Sequence, residues 1–169
     1  MKTLYCLRHA KSSWGEPGKD DHERALSPRG VRAAELVAVY LAQRAPAPSF
    51  ALCSTARRAL DTLEPIRRRL GLSYATDGRL YLAAPDAIAE RVAALDDAHA
   101  AALVVGHNPG LHAAALGYTH GGDRAARARL RERFPTAALA VLAFEAGSWS
   151  EVALGTGSLV EFVTPRDLV

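Results

Sequence analysis

Apolar residues along this chain gather in short unbroken runs, and between the runs they recur at helical spacing. Leu4-Tyr5-Cys6-Leu7, Phe50-Ala51-Leu52-Cys53 and Ala101-Ala102-Leu103-Val104-Val105 are such runs. Runs of this length with polar flanks predict strands buried on both faces. A weaker strand is expected over Leu72–Ala75, and further strands over Leu139–Glu145, Trp149–Leu154 and Ser158–Val163. The first helix is expected from Ser27 as N-cap and Pro28 at the first helical position through Arg44, with Pro46 and Pro48 beyond it. A second spans about Ala56–Leu70, with Pro65 inside it and Gly71 as its stop. Ala87–Leu95, Leu111–Leu116 and Arg124–Phe134 read as further helices. Trp14–Glu23 and Gly117–Asp123 read as loops.

Strands alternating with helices predict an α/β fold: a three-layer α/β/α sandwich with a mostly parallel central sheet. The last strands have no helix between them and predict an antiparallel edge. No repeat or linker interrupts residues 1–169, so one domain is expected.

Composition narrows the class of partner. The chain is 49% hydrophobic and 23% charged, with a formal charge of +3 and a pI near 9.1. Lys2, Lys11 and Lys19 are the only lysines, so arginine carries the positive charge. An arginine excess fits anionic ligands. Without an RNP-type aromatic motif, zinc-finger spacing or long basic run, nucleic acid is not the expected partner. The arginines of Arg124–Phe134 read first as a solvated face and second as a surface for an acidic partner. No apolar stretch approaches membrane-spanning length and no signal peptide is visible, so no membrane association is expected. Cys6 and Cys53 lie far apart in apolar runs and read as buried reduced thiols of a cytoplasmic protein.

The candidate chemistry lies where strands end. The first ends in Arg8-His9, the second in Ser54 with Arg57 and Arg58 just beyond, and the central one in Gly106-His107-Asn108. In a parallel sheet these ends share one edge, where open α/β sheets bind ligands. Two histidines, several arginines and two helix N-termini make a cationic pocket suited to a tetrahedral dianion. The loop residue Arg24 is within reach of it by sequence. His9 and His107 are conceivable metal ligands, but the surrounding arginines repel cations and a third ligand is wanting. No metal and no cofactor are therefore expected. No P-loop is present either, which leaves a neutral histidine, His9, as the nucleophile. Its second ring nitrogen then needs an acceptor, such as a backbone carbonyl, to fix the tautomer.

Leu7-Arg8-His9-Ala10-Lys11-Ser12 resembles the RHG signature of the histidine phosphatase (phosphoglycerate mutase-like) superfamily. Ala10 in place of glycine is similar to the SixA-like branch of phosphohistidine phosphatases. Asp21–Gly30 resembles the D-x-x-R-P-L-[ST]-x-x-G segment of that branch, with Ala25 replacing proline. Ser54–Thr62 resembles S-x-x-x-R-A-x-x-T, a register that selects Arg58 and leaves Arg57 as a surface residue. Val105–Leu111 resembles the second-histidine motif. The resemblance implies a phosphoglycerate mutase-like fold and a phosphohistidine intermediate on His9. Arg8, Arg24, Arg58 and His107 would hold phosphoryl oxygens, with Ser54 and Asn108 beside them.

The general acid is the gap. Many members of the superfamily carry a glutamate after the third strand, whereas Gly78–Ala84 contains no carboxylate. Asp21 is the nearest substitute, though it reads first as a loop carboxylate. An alkoxide leaving group needs protonation, but imidazole, with a reference pKa of about 6.5, departs with little help. The expected substrate is therefore a phosphohistidine-bearing protein. A small phosphoester and a non-catalytic phosphate-binding module stand as alternatives.

Overall fold

Successive residues of the first strand are buried on opposite sides of a sheet, and the layers follow from that alternation. In a computed structural model, residues 1–14 and 17–169 are described; Gly15 and Glu16 of the expected Trp14–Glu23 loop lie outside the described residues. The elements among them are β1 Lys2–Arg8, α1 Pro28–Ala42, β2 Phe50–Ser54, α2 Arg57–Leu70, β3 Ser73–Asp77, α3 Pro85–Ala93, β4 Ala101–Gly106, α4 Gly110–Tyr118, β5 Thr119–Gly122, α5 Arg124–Glu132, β6 Leu139–Phe144 and β7 Gly157–Val163.

Leu4 and Cys6 of β1 join one apolar cluster with Ala102 and Val104 of β4, and α3, α4 and α5 cover it. Tyr5 and Leu7 join the opposite cluster with Leu103 and Val105, beneath α1 and α2. Helices on both faces make the strands apolar throughout, which is why they read as runs. Cys6 and Cys53 are free, buried thiols, each pushed up to about 12 by burial.

The sheet order is β3-β2-β4-β1-β6-β7-β5. β1, β2, β3 and β4 are mutually parallel. The antiparallel strand is β6, and it sits inside the sheet between β1 and β7. The edge beyond them is β5, which pairs parallel with β7. The sheet is thus mostly parallel as expected, with its antiparallel pairing one step in from the rim.

Two local expectations are corrected. Gly117–Asp123 is not a loop: α4 continues to Tyr118 and β5 occupies Thr119–Gly122. Trp149–Leu154 is not a strand; it opens with a 3-10 turn over Trp149–Glu151. There the Trp149 backbone N–H donates to Asp97 Oδ1 at 2.7 Å and its indole N–H to the His99 carbonyl at 2.8 Å. Those bonds tie the segment to the β4 approach rather than to a sheet neighbour. No helix among the described residues is long and apolar enough to cross a membrane.

The helices start and stop where their end residues specify. Gly30 N–H donates to Ser27 Oγ at 3.1 Å, capping α1. Gly71, at φ 64°, closes α2 in the left-handed region, and α2 runs through Pro65 without interruption. Gly30 also allows α1 to touch the segment after β1 backbone to backbone. A Cβ there would fall 2.0 Å from the Lys11 carbonyl oxygen. That contact fixes residues 10–13 against the helix that begins just after Arg24.

Candidate active site

The register of the parallel strands brings the three strand ends together. Arg8 lies opposite Gly106, and Cys53 opposite Val105. His9 N–H donates to the Gly106 carbonyl at 3.1 Å, so His9 and His107 leave adjacent strands side by side. Their ring centroids are 5.1 Å apart, and both residues are buried.

His9 Nδ1 lies 2.8 Å from the Ala10 carbonyl oxygen. A carbonyl only accepts, so the proton belongs on Nδ1 and Nε2 keeps its lone pair. Burial, and then the guanidiniums of Arg58, Arg8 and Arg24, push the His9 imidazole down to about 4, against the pull of the Ala10 bond. It is therefore neutral at pH 7. Ala10 N–H donates to Thr62 Oγ1 at 2.9 Å, and Thr62 donates to the Arg58 carbonyl at 2.7 Å. One chain of hydrogen bonds thus runs from the first turns of α2 to the residue after His9.

His107 is fixed from its other side. Its Nε2 lies 2.8 Å from Ser54 Oγ, which accepts the Ala56 N–H at 3.2 Å. Ser54 can either donate to Nε2 or accept from it; when it donates, the His107 proton resides on Nδ1, which is buried without a partner. An unpaired N–H donor beside His9 suits a phosphoryl oxygen. Burial first, then His9 and Arg58, push His107 down to about 3, opposed by Asp21.

The arginines converge on Asp21, which stands in the 3-10 turn Asp21–Glu23. Arg58 Nη1 donates to the Asp21 carbonyl at 2.7 Å and Nη2 to Asp21 Oδ2 at 3.0 Å. Arg24 Nε donates to Asp21 Oδ1 at 3.0 Å, and its Nη1 to Ser12 Oγ at 2.8 Å. Tyr81 donates its hydroxyl proton to Asp21 Oδ2 at 2.5 Å. The Tyr81 bond, followed by those of Arg24 and Arg58, holds the Asp21 carboxyl well below the usual carboxylate range. Asp21 is thus an ionised carboxylate seated among guanidiniums that could otherwise grip a phosphoryl group. Arg8 Nη1 donates to the Phe134 carbonyl at 3.2 Å, and Asn108 Nδ2 to the same oxygen at 2.8 Å. The Phe134 carbonyl therefore aligns both residues on one rim. Arg8 Nε, Arg58 Nε and Asn108 Oδ1 are buried without partners.

Residues 4–81 match the family model described as the histidine phosphatase superfamily (branch 1). An uncharacterized protein of Mycobacterium tuberculosis is 42% identical over 162 residues, covering 95% of this chain and 100% of that protein. The chain belongs to the histidine phosphatase superfamily. A candidate phosphohistidine phosphatase SixA of Agrobacterium tumefaciens superposes with a TM-score of 0.80 at 31% identity, over 97% of this chain and 98% of that one. A candidate SixA of Nakamurella multipartitia reaches a TM-score of 0.86 at 29% identity, over 97% and 96% of the two chains. This histidine phosphatase is thus a SixA-like phosphatase enzyme on a phosphoglycerate mutase-like sheet.

Within this phosphatase, Arg8, His9, Arg24, Ser54, Arg58, His107 and Asn108 all stand around one cleft edge. Arg57 points elsewhere: its side chain is 54% exposed and lies 3.6 Å from Asp61. Sequence reading missed Tyr81, whose ring meets His107 edge-on at a centroid distance of 5.4 Å and whose hydroxyl reaches Asp21. It also missed His22, which bonds Thr55 Oγ1 at 2.8 Å and meets Tyr81 at 4.8 Å. The absence of a carboxylate in Gly78–Ala84 was visible in sequence.

The two depressed histidines make folding sensitive to acid. The unfolded chain takes up a proton at each near pH 6.5, the folded chain only near about 4 and about 3. Between these limits the unfolded state binds more protons, so stability is full above pH 6.5 and declines as pH falls towards 4. Urea titrations should show a loss of roughly a few kcal/mol between pH 7 and pH 4.5. The slope should flatten in His107→Gln, and equal slopes in both proteins would place the acid sensitivity elsewhere.

Proposed function

We propose that this phosphatase hydrolyses phosphohistidine on a protein substrate, through a covalent phosphohistidine on its own His9. In the first step His9 Nε2 attacks phosphorus. The phosphorus–nitrogen bond of the substrate breaks, and the leaving imidazole takes the electron pair. Arg8, Arg24, Arg58 and the His107 Nδ1–H neutralise the oxygens as charge develops on them. In the second step water attacks the phosphorylated His9, Nε2 departs, and orthophosphate is released. The water protons leave on the orthophosphate, and Asp21, held well below the usual carboxylate range, takes none of them.

One observation carries the choice of substrate: Asp21 is ionised at rest and has no proton to donate. Asp77, beside Ser54 in the sheet, is occupied by Arg79 and Arg91. An alkoxide leaving group lacks the acid it needs here, whereas imidazole leaves without one. The Asp21 side chain is 50% exposed, so the outer side of the cleft opens to solvent and accommodates a residue on a protein surface. The buried thiols of Cys6 and Cys53 accord with a reducing cytoplasm as the place of action.

A substrate panel tests this reading. A phosphohistidine peptide should be turned over with a higher kcat/KM than sugar phosphates or nucleotides; the reverse order overturns it. Asp21→Asn sharpens the test, because it removes the internal anion and frees Arg24 and Arg58. Orthophosphate should then inhibit about tenfold more tightly, equivalent to about 1.4 kcal/mol. Hydrolysis of the phosphohistidine peptide should stay within about tenfold of the parent. A fall of more than about a hundredfold would make Asp21 an obligatory proton donor and remove the support for imidazole as leaving group.

A further inference from the structure

Outside the catalytic cleft, one groove gathers several cations that no acidic side chain pairs. Most arginines that approach a carboxylate are paired with it, as Arg44 is with Glu161, Arg68 with Glu35 and Arg129 with Asp167. Lys11, Arg29, Arg32, Arg133 and Arg166 behave differently. They line a single groove of about 540 Å³ between the start of α1, the segment before β6 and the turn after β7. No Asp or Glu side chain lines it. All five are exposed, and none makes a side-chain hydrogen bond or ion pair among the described residues. Val169, the last residue, also lines the groove, and its one carboxylate against five cations leaves the groove net positive and attractive to an anion.

The groove and the cleft share walls. Lys11 is two residues beyond His9, and its carbonyl accepts the Ser27 N–H at 2.9 Å, which ties it to the start of α1. Arg133 and Pro135 flank Phe134, whose carbonyl holds Arg8 and Asn108 in place. The end of β1, the start of β6 and the end of β7 lie at the same edge of the sheet, since Leu7 pairs with Leu139 and Leu139 with Val163. A polypeptide presenting a phosphoryl group to His9 would therefore have its neighbouring residues at this groove.

We propose that the groove docks an acidic segment of the phosphoprotein substrate, a proposal that rests on the protein-phosphohistidine reading above. The lining indicates the chemistry of the occupant. Between the cations lie Ala33, Leu36, Pro135, Pro165 and Val169 with the hydroxyls of Thr136 and Thr164, and no aromatic side chain lines it. Single-stranded nucleic acid binds through base stacking on aromatic platforms, which this groove lacks. Carboxylates on a polypeptide need only the guanidinium forks and an apolar floor for their stems. Attraction of this kind acts on encounter and affinity, so it belongs in KM and in the salt dependence rather than in the chemical step.

The test uses the full chain and three substrates: a phosphohistidine peptide flanked by Asp and Glu, the same peptide flanked by Asn and Gln, and phosphoramidate. The acidic peptide should have a kcat/KM at least tenfold higher than the neutral one at low salt, and added NaCl should erase the difference. Arg29→Glu with Arg32→Glu should abolish that preference through KM and leave phosphoramidate hydrolysis within twofold. No preference in the parent protein, or equal losses on all three substrates, overturns the proposal. Fluorescence anisotropy of a labelled, unphosphorylated acidic peptide separates the two readings. If neither phosphopeptide is hydrolysed, the protein-phosphohistidine reading fails. The groove is then judged by this binding alone, which must weaken at least tenfold in the double variant. Failure to bind, or tighter binding of a single-stranded oligonucleotide than of the acidic peptide, overturns the groove assignment.

Discussion

Replacing His9 with alanine should lower phosphohistidine hydrolysis by about ten-thousandfold or more, because the covalent route disappears with the nucleophile. The structure makes this a clean removal. His9 contributes one side-chain hydrogen bond, to the Ala10 carbonyl, and the strand pairing around it uses backbone groups only. The arginines and His107 remain, so tungstate or orthophosphate should still bind and should raise the melting temperature of the variant. Rapid quenching with labelled substrate supplies the direct readout. The parent protein should trap an acid-labile, base-stable phosphoryl group, and His9→Ala should trap none. Substantial hydrolysis by His9→Ala, or label retained in it, would assign the attack to water or to another residue. His107→Ala differs in kind. It leaves Nε2 of His9 intact, so it should still accumulate label while turning over more slowly.

The parallel half of the fold was readable because burial on both faces writes itself into sequence as unbroken apolar runs. β1, β2 and β4 are of this type, and Ser27, Pro28 and Gly71 mark the helix ends by mechanisms that do not depend on distant residues. β5 was not readable. Thr119-His120-Gly121-Gly122 alternates between partly buried and exposed, carries two glycines and lies at the rim, so only its pairing with β7 makes it a strand. Trp149–Leu154 failed for the opposite reason: its aromatic and β-branched residues suit a strand, but Asp97 and the His99 carbonyl take its donors first. The interior place of β6 could not be read either, since strand order is set by packing across the sheet rather than by local pattern.

The site divides along the same line. Arg8, His9, Ser54 and His107 were legible because they follow buried strands, where parallel order alone brings them to one edge. Tyr81 was not, because its partner Asp21 is sixty residues away and both lie in irregular segments. The Phe134 carbonyl was invisible in principle, since a main-chain oxygen carries no residue signature. The same gap hid the resting state of Asp21. A loop aspartate reads as a candidate acid until three donors are seen on it, after which it reads as an ionised internal counter-ion.

Arg58 is where the second large effect is expected. Its side chain is 4% exposed and spans the cleft, with Nη1 on the Asp21 carbonyl, Nη2 on the Asp21 carboxylate and its guanidinium carbon 5.8 Å from the Tyr81 ring centre. Its own carbonyl accepts from Thr62, which in turn receives the Ala10 N–H, so the residue links the phosphoryl-binding side to the His9 turn. Arginines that stabilise a transferring phosphoryl group are worth about 10³–10⁵ in rate. Arg58→Ala should therefore lower kcat/KM by about a thousandfold. Arg58→Lys should recover only part of that loss, because an ammonium keeps the charge but cannot span two acceptors in one plane. The control lies one residue earlier. Arg57→Ala removes an exposed guanidinium paired loosely with Asp61 and should change kcat/KM by less than about twofold. A larger loss at Arg57 than at Arg58 would reverse the register of the whole segment. Comparable losses at both would mean that the positive field of the helix start, rather than a placed fork, does the stabilising. The split between kcat and KM decides what Arg58 holds. A loss mainly in kcat marks an interaction completed only as the phosphoryl group transfers, whereas a loss confined to KM marks a residue that merely receives the ground-state dianion.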